Sequence, residues 1–286
     1  MEEHKRKLFL ESIKKKKEFA GLADSIAKRE MNLFFKRNPK VQKQLEEKGI
    51  RSTLFKQAVK EVRKGLHKSH GVFQKGKKVL REKFLQELKE SEDLEVYKKI
   101  LKTNISTRER LSHYESLYKD IFLITSNPKS ILDLSSGLNP LSFPWMNLKK
   151  IQYTATEINK EDVDFLNDYF NLMKSKGLNG KASILDLSEE DSLDKLKKLS
   201  DTDVCFMFKL IESIEFSKKR KYRLVEALLT SIKSKWIITS FATKTISQKE
   251  MKFKQRTWFE LMLKRLNLKF TKLDTSNEIY YIIKNK

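Results

Sequence analysis

The sequence predicts an α/β chain, with an all-helical N-terminal part leading into a doubly wound, mostly parallel sheet of seven strands. Three observations predict it. After Pro128 short apolar runs alternate with stretches of helical period, the pattern of strands and crossover helices. Before Asn104 apolar residues recur at helical spacing throughout. Between them, SILDLSSGLNPLSFPW (130–145) breaks from an apolar run into Ser135, Ser136, Gly137 and Asn139-Pro140, as a buried strand enters a tight turn and then a helix.

In the N-terminal part, Leu22, Ile26, Leu33 and Phe34 form one stripe, Leu54, Phe55, Ala58, Val59 and Val62 a second, and Val79, Leu80, Phe84, Leu85 and Leu88 a third. These are core faces of a small bundle. Asn38-Pro39 ends the second helix, and Gly65, Gly71 and Gly76 punctuate a basic loop. From Asn104 to Thr125, Ser106 and Glu109 have capping-box spacing, and Leu111, Tyr114, Tyr118 and Ile121 mark one face of a long helix bridging two domains. That start puts Arg108 and Arg110 in a first turn, where the helix dipole disfavours a cation, so a carboxylate ligand beside Arg108 is expected. Domains of 1–104 and 105–286 follow.

Charge indicates the partner. The chain has 61 Lys and Arg against 38 Asp and Glu, a net +23, and residues 1–104 hold 29 basic and 15 acidic residues. A polyanion, nucleic acid first, is the expected partner. The basic helical part is read as gripping a folded RNA by its phosphates and shape, through Lys14, Lys15, Lys36, Arg37, Arg63 and Lys64. Docking on a protein, or a merely solvated face, is the alternative. The lone Cys205 excludes an internal disulfide and a multi-cysteine zinc site, and His67 and His70 lack acidic or thiol neighbours, so no metal is expected. MEEHKRK carries no apolar leader and no stretch is long enough to span a bilayer, so a soluble, cytoplasmic monomer is expected, with no membrane partner.

In the C-terminal part the strands are expected at 130–134, 151–156, 181–185, 203–208, 235–241, 268–273 and 278–283, and helices at 160–175, 189–199, 217–233 and 253–266. The short link Asp274–Asn277 makes the last strand antiparallel. Asn139 is the expected N-cap and Pro140 the first helical residue after strand one, with backbone N–H groups directed at a ligand above the strand end. Ligands bind beyond the carboxyl ends of such strands. There the sequence places Asp133 and the serine-glycine turn, Glu157 at the spacing of a ribose-binding acid, Asp186-Leu187, and Phe208-Lys209. Each of these is also open to a plainer reading, as a helix-start carboxylate or a solvated strand end.

TRERLSHYESLY (107–118), ILDLSSGLNPLS (131–142), FKLIESIE (208–215), TSFATKTIS (239–247) and WFE (258–260), in this order, resemble the aminoglycoside-resistance methyltransferases that modify guanine N7 in small-subunit (16S) ribosomal RNA. The resemblance spans roughly 104–286. It implies a class I, Rossmann-like methyltransferase fold, S-adenosyl-L-methionine as donor, and the assembled small ribosomal subunit as substrate. It further implies that Arg108 holds the methionine carboxylate and that Asp133, Ser135 and Gly137 cradle the methionine and ribose side. Glu157 would bind the ribose, Asp186 and Leu187 would border the adenine, and Lys209 with the Ser240–Ser247 loop would face the target nucleotide. Lys244, Lys249 and Arg256 are placed to meet phosphates beside it. Three positions depart from the family: Ser135-Ser136 stands where Gly-Cys is usual, so that a side chain at 135 either crowds the cofactor or demands a strained backbone, and Glu212 stands where proline is expected.

Guanine N7 carries no proton to remove, so positioning and electrostatics suffice without a general base. Cys205, inside a strand, reads as core and not as a nucleophile. Trp145, Phe241 and Trp258 are the aromatics considered for stacking on a flipped base, each also a core residue by pattern. Two rival readings stay open at this level: a non-catalytic RNA-binding or ribosome-assembly protein that has lost the cofactor, suggested by Ser135, and a methyltransferase acting on another RNA such as transfer RNA.

Overall fold

The computed structural model describes the chain except residues 1–2, 17–18, 21, 23, 48–51, 70–77, 92, 188, 190, 200, 215–221, 246–248, 252–253 and 286, and the side chains of 25, 67–69 and 78–79. It divides into two compact units, residues 1–75 with 158–161, and residues 76–157 with 162–286. The division falls at 75, not at 104, because the third apolar stripe of the sequence is buried with the sheet: Leu85 and Leu88 belong to the same core as Ile131 and Tyr153.

The first unit contains α1 (Glu3–Lys14), α2 (Asp24–Arg37), α3 (Pro39–Glu47) and α4 (Thr53–Ser69). Phe9 is its hub, edge-on to Phe35 at 5.3 Å and to Phe55 at 5.1 Å between ring centroids. On α2 the buried positions are Ile26, Ala27, Met31 and Phe35, one step round from the expected Leu33 and Phe34, which are only partly buried. The Arg63 guanidinium donates to the carbonyls of Ser12 and Ile13, two of the C-terminal carbonyls of α1 that lack an intrahelical donor. Arg63 is therefore a helix tie, and its expected role on RNA is corrected.

In the second unit α5 (Lys78–Glu90), α6 (Leu94–Leu101), α7 (Ile105–Arg110) and α8 (Tyr114–Thr125) precede β1 (Ser130–Asp133), a 3₁₀ turn (Asn139–Ser142), α9 (Phe143–Met146) and β2 (Ile151–Glu157). There follow α10 (Lys160–Met173, whose first two residues fall in the other unit), β3 (Leu178–Ile184), α11 (Ser192–Lys198), β4 (Val204–Phe208), α12 (Leu210–Ile214) and α13 (Arg223–Ser231), then β5 (Trp236–Ala242), α14 (Thr257–Arg265), β6 (Lys269–Asp274) and β7 (Glu278–Lys284). The sheet order is β3-β2-β1-β4-β5-β7-β6. Strands β1 to β5 pair in parallel, and β7 is antiparallel to both β5 and β6. Alternate residues feed two cores on opposite faces: Ile131, Val204, Phe206, Tyr280 and Ile282 to one, Leu132, Cys205, Met207, Tyr281 and Ile283 to the other. Cys205 is a buried core thiol, its pKa raised by burial. Among the described residues no helix is long and apolar enough to cross a membrane.

The segment before β1 is two helices, not one. Asn104, not Ser106, is the N-cap of α7, its side-chain oxygen accepting from the N–H groups of Ser106 and Thr107, and residues 111–113 separate α7 from α8. Arg108 and Arg110 consequently lie in the last turn of α7, where the dipole favours a cation, so the dipole supplies no argument for a ligand at Arg108.

Asn139 is likewise not a cap. It lies inside the 3₁₀ turn, buried, and its amide donates to Asp133 Oδ2 at 2.9 Å while its oxygen accepts from the hydroxyls of Tyr114 and Tyr118, each at 3.3 Å. Tyr153 donates to the same Asp133 oxygen at 2.6 Å, and Tyr118 also meets Ser142 at 2.6 Å. Burial raises the Asp133 carboxyl to about 6 in spite of the hydrogen bonds from Tyr153 and Asn139. A folded-state pKa above the unfolded value means that the stabilisation tied to the protonated acid is fully present below about pH 3.8 and is lost as pH rises through about 6. Denaturant titrations of wild type and Asp133→Asn at pH 4 and pH 7 are expected to show the variant gaining on wild type by about 2 kcal/mol across that interval.

Candidate cofactor and target site

The parallel strands run in one direction, so the residues that follow β1, β2, β3 and β4 leave the sheet at one edge, with β1 pairing both β2 and β4. The turn after β1 reverses tightly. Ser135 has φ 54° and Gly137 φ 56°, and the strained backbone expected for a side chain at 135 is what Ser135 adopts. Three successive N–H groups of this turn are already taken: Ser135 donates to Thr156 Oγ1 at 3.2 Å, Ser136 to the Thr156 carbonyl at 2.9 Å, and Gly137 to Glu157 Oε1 at 2.6 Å. These groups hold the turn onto the end of β2, and of the helix-start N–H groups expected to face a ligand, that of Leu141 donates to the Leu138 carbonyl at 3.0 Å and that of Phe143 to the Pro140 carbonyl.

What the turn leaves for a ligand are side chains and carbon surfaces. Ser136 Oγ is buried without a hydrogen-bond partner among the described residues. Asn104 lies against Gly137, so that a Cβ added there would stand 3.4 Å from its amide nitrogen. One helical turn beyond Asn104 is Arg108, exposed, its guanidinium making no ion pair among the described residues. Glu157 is buried at the end of β2, and Asp186 and Leu187 are buried just past β3. Asp133 is brought to the same edge, but its Oδ2 is committed to Asn139 and Tyr153, so it supports the turn from below.

On the β4 side the sequence reading missed a charge cluster. Lys209, itself at φ 55°, places its ammonium 2.5 Å from Glu109 Oε2 and 3.2 Å from Glu278 Oε1. Glu278, wholly buried, also accepts from Arg110 Nε at 2.9 Å and from Ser240 Oγ at 2.6 Å. Burial opposes the Glu278 charge, yet Arg110 and Lys209 outweigh it and hold its carboxyl below the usual range, while Glu278 keeps the Arg110 guanidinium charged. Arg110 additionally lies over the Phe208 ring at 4.8 Å. The signals were present as an acid heading the apolar run of β7 and as the RER triplet, but their meeting spans 100 to 168 residues of sequence.

Among the other expected residues, Arg256 is occupied: it donates to Glu212 Oε1 at 2.6 Å and to the Ala242 carbonyl at 2.8 Å and covers Phe241, so its expected phosphate contact is corrected. Glu212, in the place of the family's proline, supplies the other half of that tie and accepts from Ala242 N–H at 3.3 Å. Lys244 is partly buried and Lys249 exposed, and residues 246–248 of the loop lie outside the described residues. Phe241 is fully buried, Trp145 is half-buried against the core and lines a cavity, and half-buried Trp258 has one face stacked on Tyr222 at 3.9 Å. In the helical unit Lys14 pairs with Asp24 at 2.6 Å and Lys64 loosely with Glu61, whereas Lys15, Lys36 and Arg37 are exposed. No group of metal-binding side chains occurs among the described residues.

Comparison with known proteins bears on this site. The chain is 27% identical over 237 residues to the 16S rRNA (guanine(1405)-N(7))-methyltransferase of Micromonospora echinospora, covering 79% of this chain and 82% of that protein. It is 29% identical over 253 residues to the enzyme of the same name from Proteus mirabilis, covering 80% and 84%. The fold matches the 16S rRNA methyltransferase RmtF, solved with S-adenosyl-L-homocysteine, at TM-score 0.75 and 19% identity over the whole of both chains. It matches the 16S rRNA methylase RmtB at TM-score 0.69 and 22% identity over 97% of each. The model of the family described as ribosomal RNA methyltransferase (FmrO) matches residues 43–282, and the chain belongs to that family.

Proposed function

We propose that this protein methylates N7 of a guanine in 16S ribosomal RNA of the small subunit, with S-adenosyl-L-methionine as donor. The observation that carries the reading is the left-handed Ser135–Gly137 turn locked onto Glu157, with Asn104 against it and the exposed Arg108 guanidinium one helical turn away. The residues fit the donor. Arg108 is a charge-assisted partner for its carboxylate, Ser136 Oγ an unused hydrogen-bonding group, Glu157 the acid for ribose hydroxyls, and Asp186-Leu187 a border for the adenine. Ser135 keeps the turn formed, and the likeness to named 16S rRNA methyltransferases supports the catalytic reading over the non-catalytic one.

When bound, S-adenosyl-L-methionine would supply an electrophilic methyl group carried on a sulfonium. The chain's own part is modest, because N7 presents a lone pair and no proton. Thr156 and Glu157 fix the turn, Asp133, Asn139 and Tyr153 fix it from below, and the cluster around Lys209 sets the field beside the base. Grip on the subunit comes from the basic helical unit, residues 1–75, through the exposed Lys15, Lys36, Arg37 and Lys64, with Lys249 as a further phosphate partner.

Calorimetric titration with S-adenosyl-L-methionine should find Arg108→Ala weaker than wild type by about tenfold to a hundredfold, as expected when a charge-assisted interaction of about 1.5–3 kcal/mol is removed. For the RNA grip, a Lys36→Ala/Arg37→Ala double variant should bind small subunits more weakly, with the slope of log affinity against log salt reduced by about one for each phosphate that is no longer neutralised. An unchanged slope assigns those residues to the solvated surface. For the reaction itself, purified small subunits treated with the protein and tritiated donor should yield one strong stop after borohydride and aniline cleavage. Label on a cytosine, or on transfer RNA alone, overturns the assignment.

A further inference from the structure

The ion pair between Lys209 and Glu109 has no evident structural purpose. Both side chains are largely withdrawn from water, 10% and 15% exposed, and a desolvated pair of this kind contributes little net stability. Its position is more informative. Lys209 directly follows β4, the strand beside β1 and its cofactor turn, and Glu109 is the chain neighbour of Arg108, so the residue next to the donor's anchor points its carboxylate at the β4 end. The pair is backed by Glu278, which holds Lys209 at 3.2 Å and is itself fixed by Arg110 and Ser240. Glu109 is further placed by its own carbonyl, which accepts from Asn277 Nδ2 at 2.7 Å.

A base alkylated at N7 must leave its N7 edge open, so recognition falls to the rest of the ring. Guanine is distinguished there by O6, an acceptor, beside N1–H and the 2-amino group, both donors. An ammonium and a carboxylate held side by side match that order of groups. Adenine presents the reverse, a donor at position 6 and an acceptor at N1, and would face Lys209 and Glu109 with like against like.

We propose that Glu109 and Lys209 form the guanine-reading pair of the site, Glu109 accepting from N1–H and the 2-amino group and Lys209 donating to O6, with Glu278 as the positioning residue behind them. The proposal rests on the reading of the protein as a guanine-N7 methyltransferase. It also accounts for charge: Arg110, Lys209, Glu109 and Glu278 sum to zero, so the ring that becomes cationic meets no net positive field in a chain of net +23.

The test uses the full chain and small subunits reconstituted with guanine or with hypoxanthine, which lacks the 2-amino group, at the methylated position. Wild type is first mapped on ordinary subunits by borohydride and aniline cleavage. If no N7-methylguanine appears, the functional reading falls and the pair with it. Given methylation, wild type should prefer guanine to hypoxanthine by about tenfold to a hundredfold in kcat/KM, the effect of losing one hydrogen bond from the 2-amino group to a charged acceptor. Glu109→Gln should be slower on guanine and lose most of that preference, while its binding of S-adenosyl-L-homocysteine, which also reports folding, stays unchanged. Glu109→Asp, one methylene shorter, should keep the preference at a lower rate. A Glu109→Gln protein that retains the wild-type preference at whatever rate, or a Glu109→Asp protein that loses it, overturns the pairing while leaving the N7 reaction standing.

Discussion

Backbone groups withdrawn from water must find partners, and this requirement shapes the site more than any single side chain does. The turn after β1 brings three N–H donors together in a left-handed reversal, and only the end of β2 can satisfy them. Thr156 spends its hydroxyl and carbonyl on Ser135 and Ser136, and Glu157 spends one carboxylate oxygen on Gly137. Glu157 thus has two tasks, to hold the turn and to present the acid at the strand end. Beneath it the buried acid Asp133 gathers Asn139 and Tyr153, and through Asn139 the two tyrosines of α8, so one polar network joins the strand, the turn and the helix after α7.

The second organising feature is how a strongly basic protein arranges its buried charge. On the exposed helices some lysines pair with acids, as Lys14 does with Asp24, while Lys15, Lys36 and Arg37 stand exposed, which suits phosphates. At the carboxyl ends of β4 and β5 and the amino end of the antiparallel β7 the arrangement is buried, with each cation matched by a carboxylate within hydrogen-bond distance. Arg63 and Arg256 show the same economy, because arginines that looked available for RNA are tied to carbonyls and to Glu212. Net charge alone does not separate the two populations, whereas packing does.

The sheet was legible because its strands are buried on both faces, which writes them as apolar runs, and because the 274–277 link is short enough to force β7 antiparallel. The cofactor side was legible in part, through residues that follow strands and therefore share an edge. Caps were not. Asn104 and Ser106 are both good capping residues two positions apart, and only the backbone decides between them, which reversed the position of Arg108 in its helix. The split at 75 was hidden because α5 carries the same stripe as the helices before it, and periodicity states that a face is buried without stating against what. The Lys209 cluster was hidden for a different reason: no local pattern links Glu109, Lys209 and Glu278.

That separation in sequence bears on the order in which the molecule comes together. The bundle around Phe9 is closed by packing between helices that lie near one another in the chain, a topology that assembles quickly. The cluster at Glu278 joins segments 168 residues apart and needs β7 seated against β5, so its loop-closure cost is met late. The helical unit accordingly closes before the cluster of Glu109, Lys209, Arg110 and Glu278 does, and the last part of the fold to be completed is the one that depends on β7.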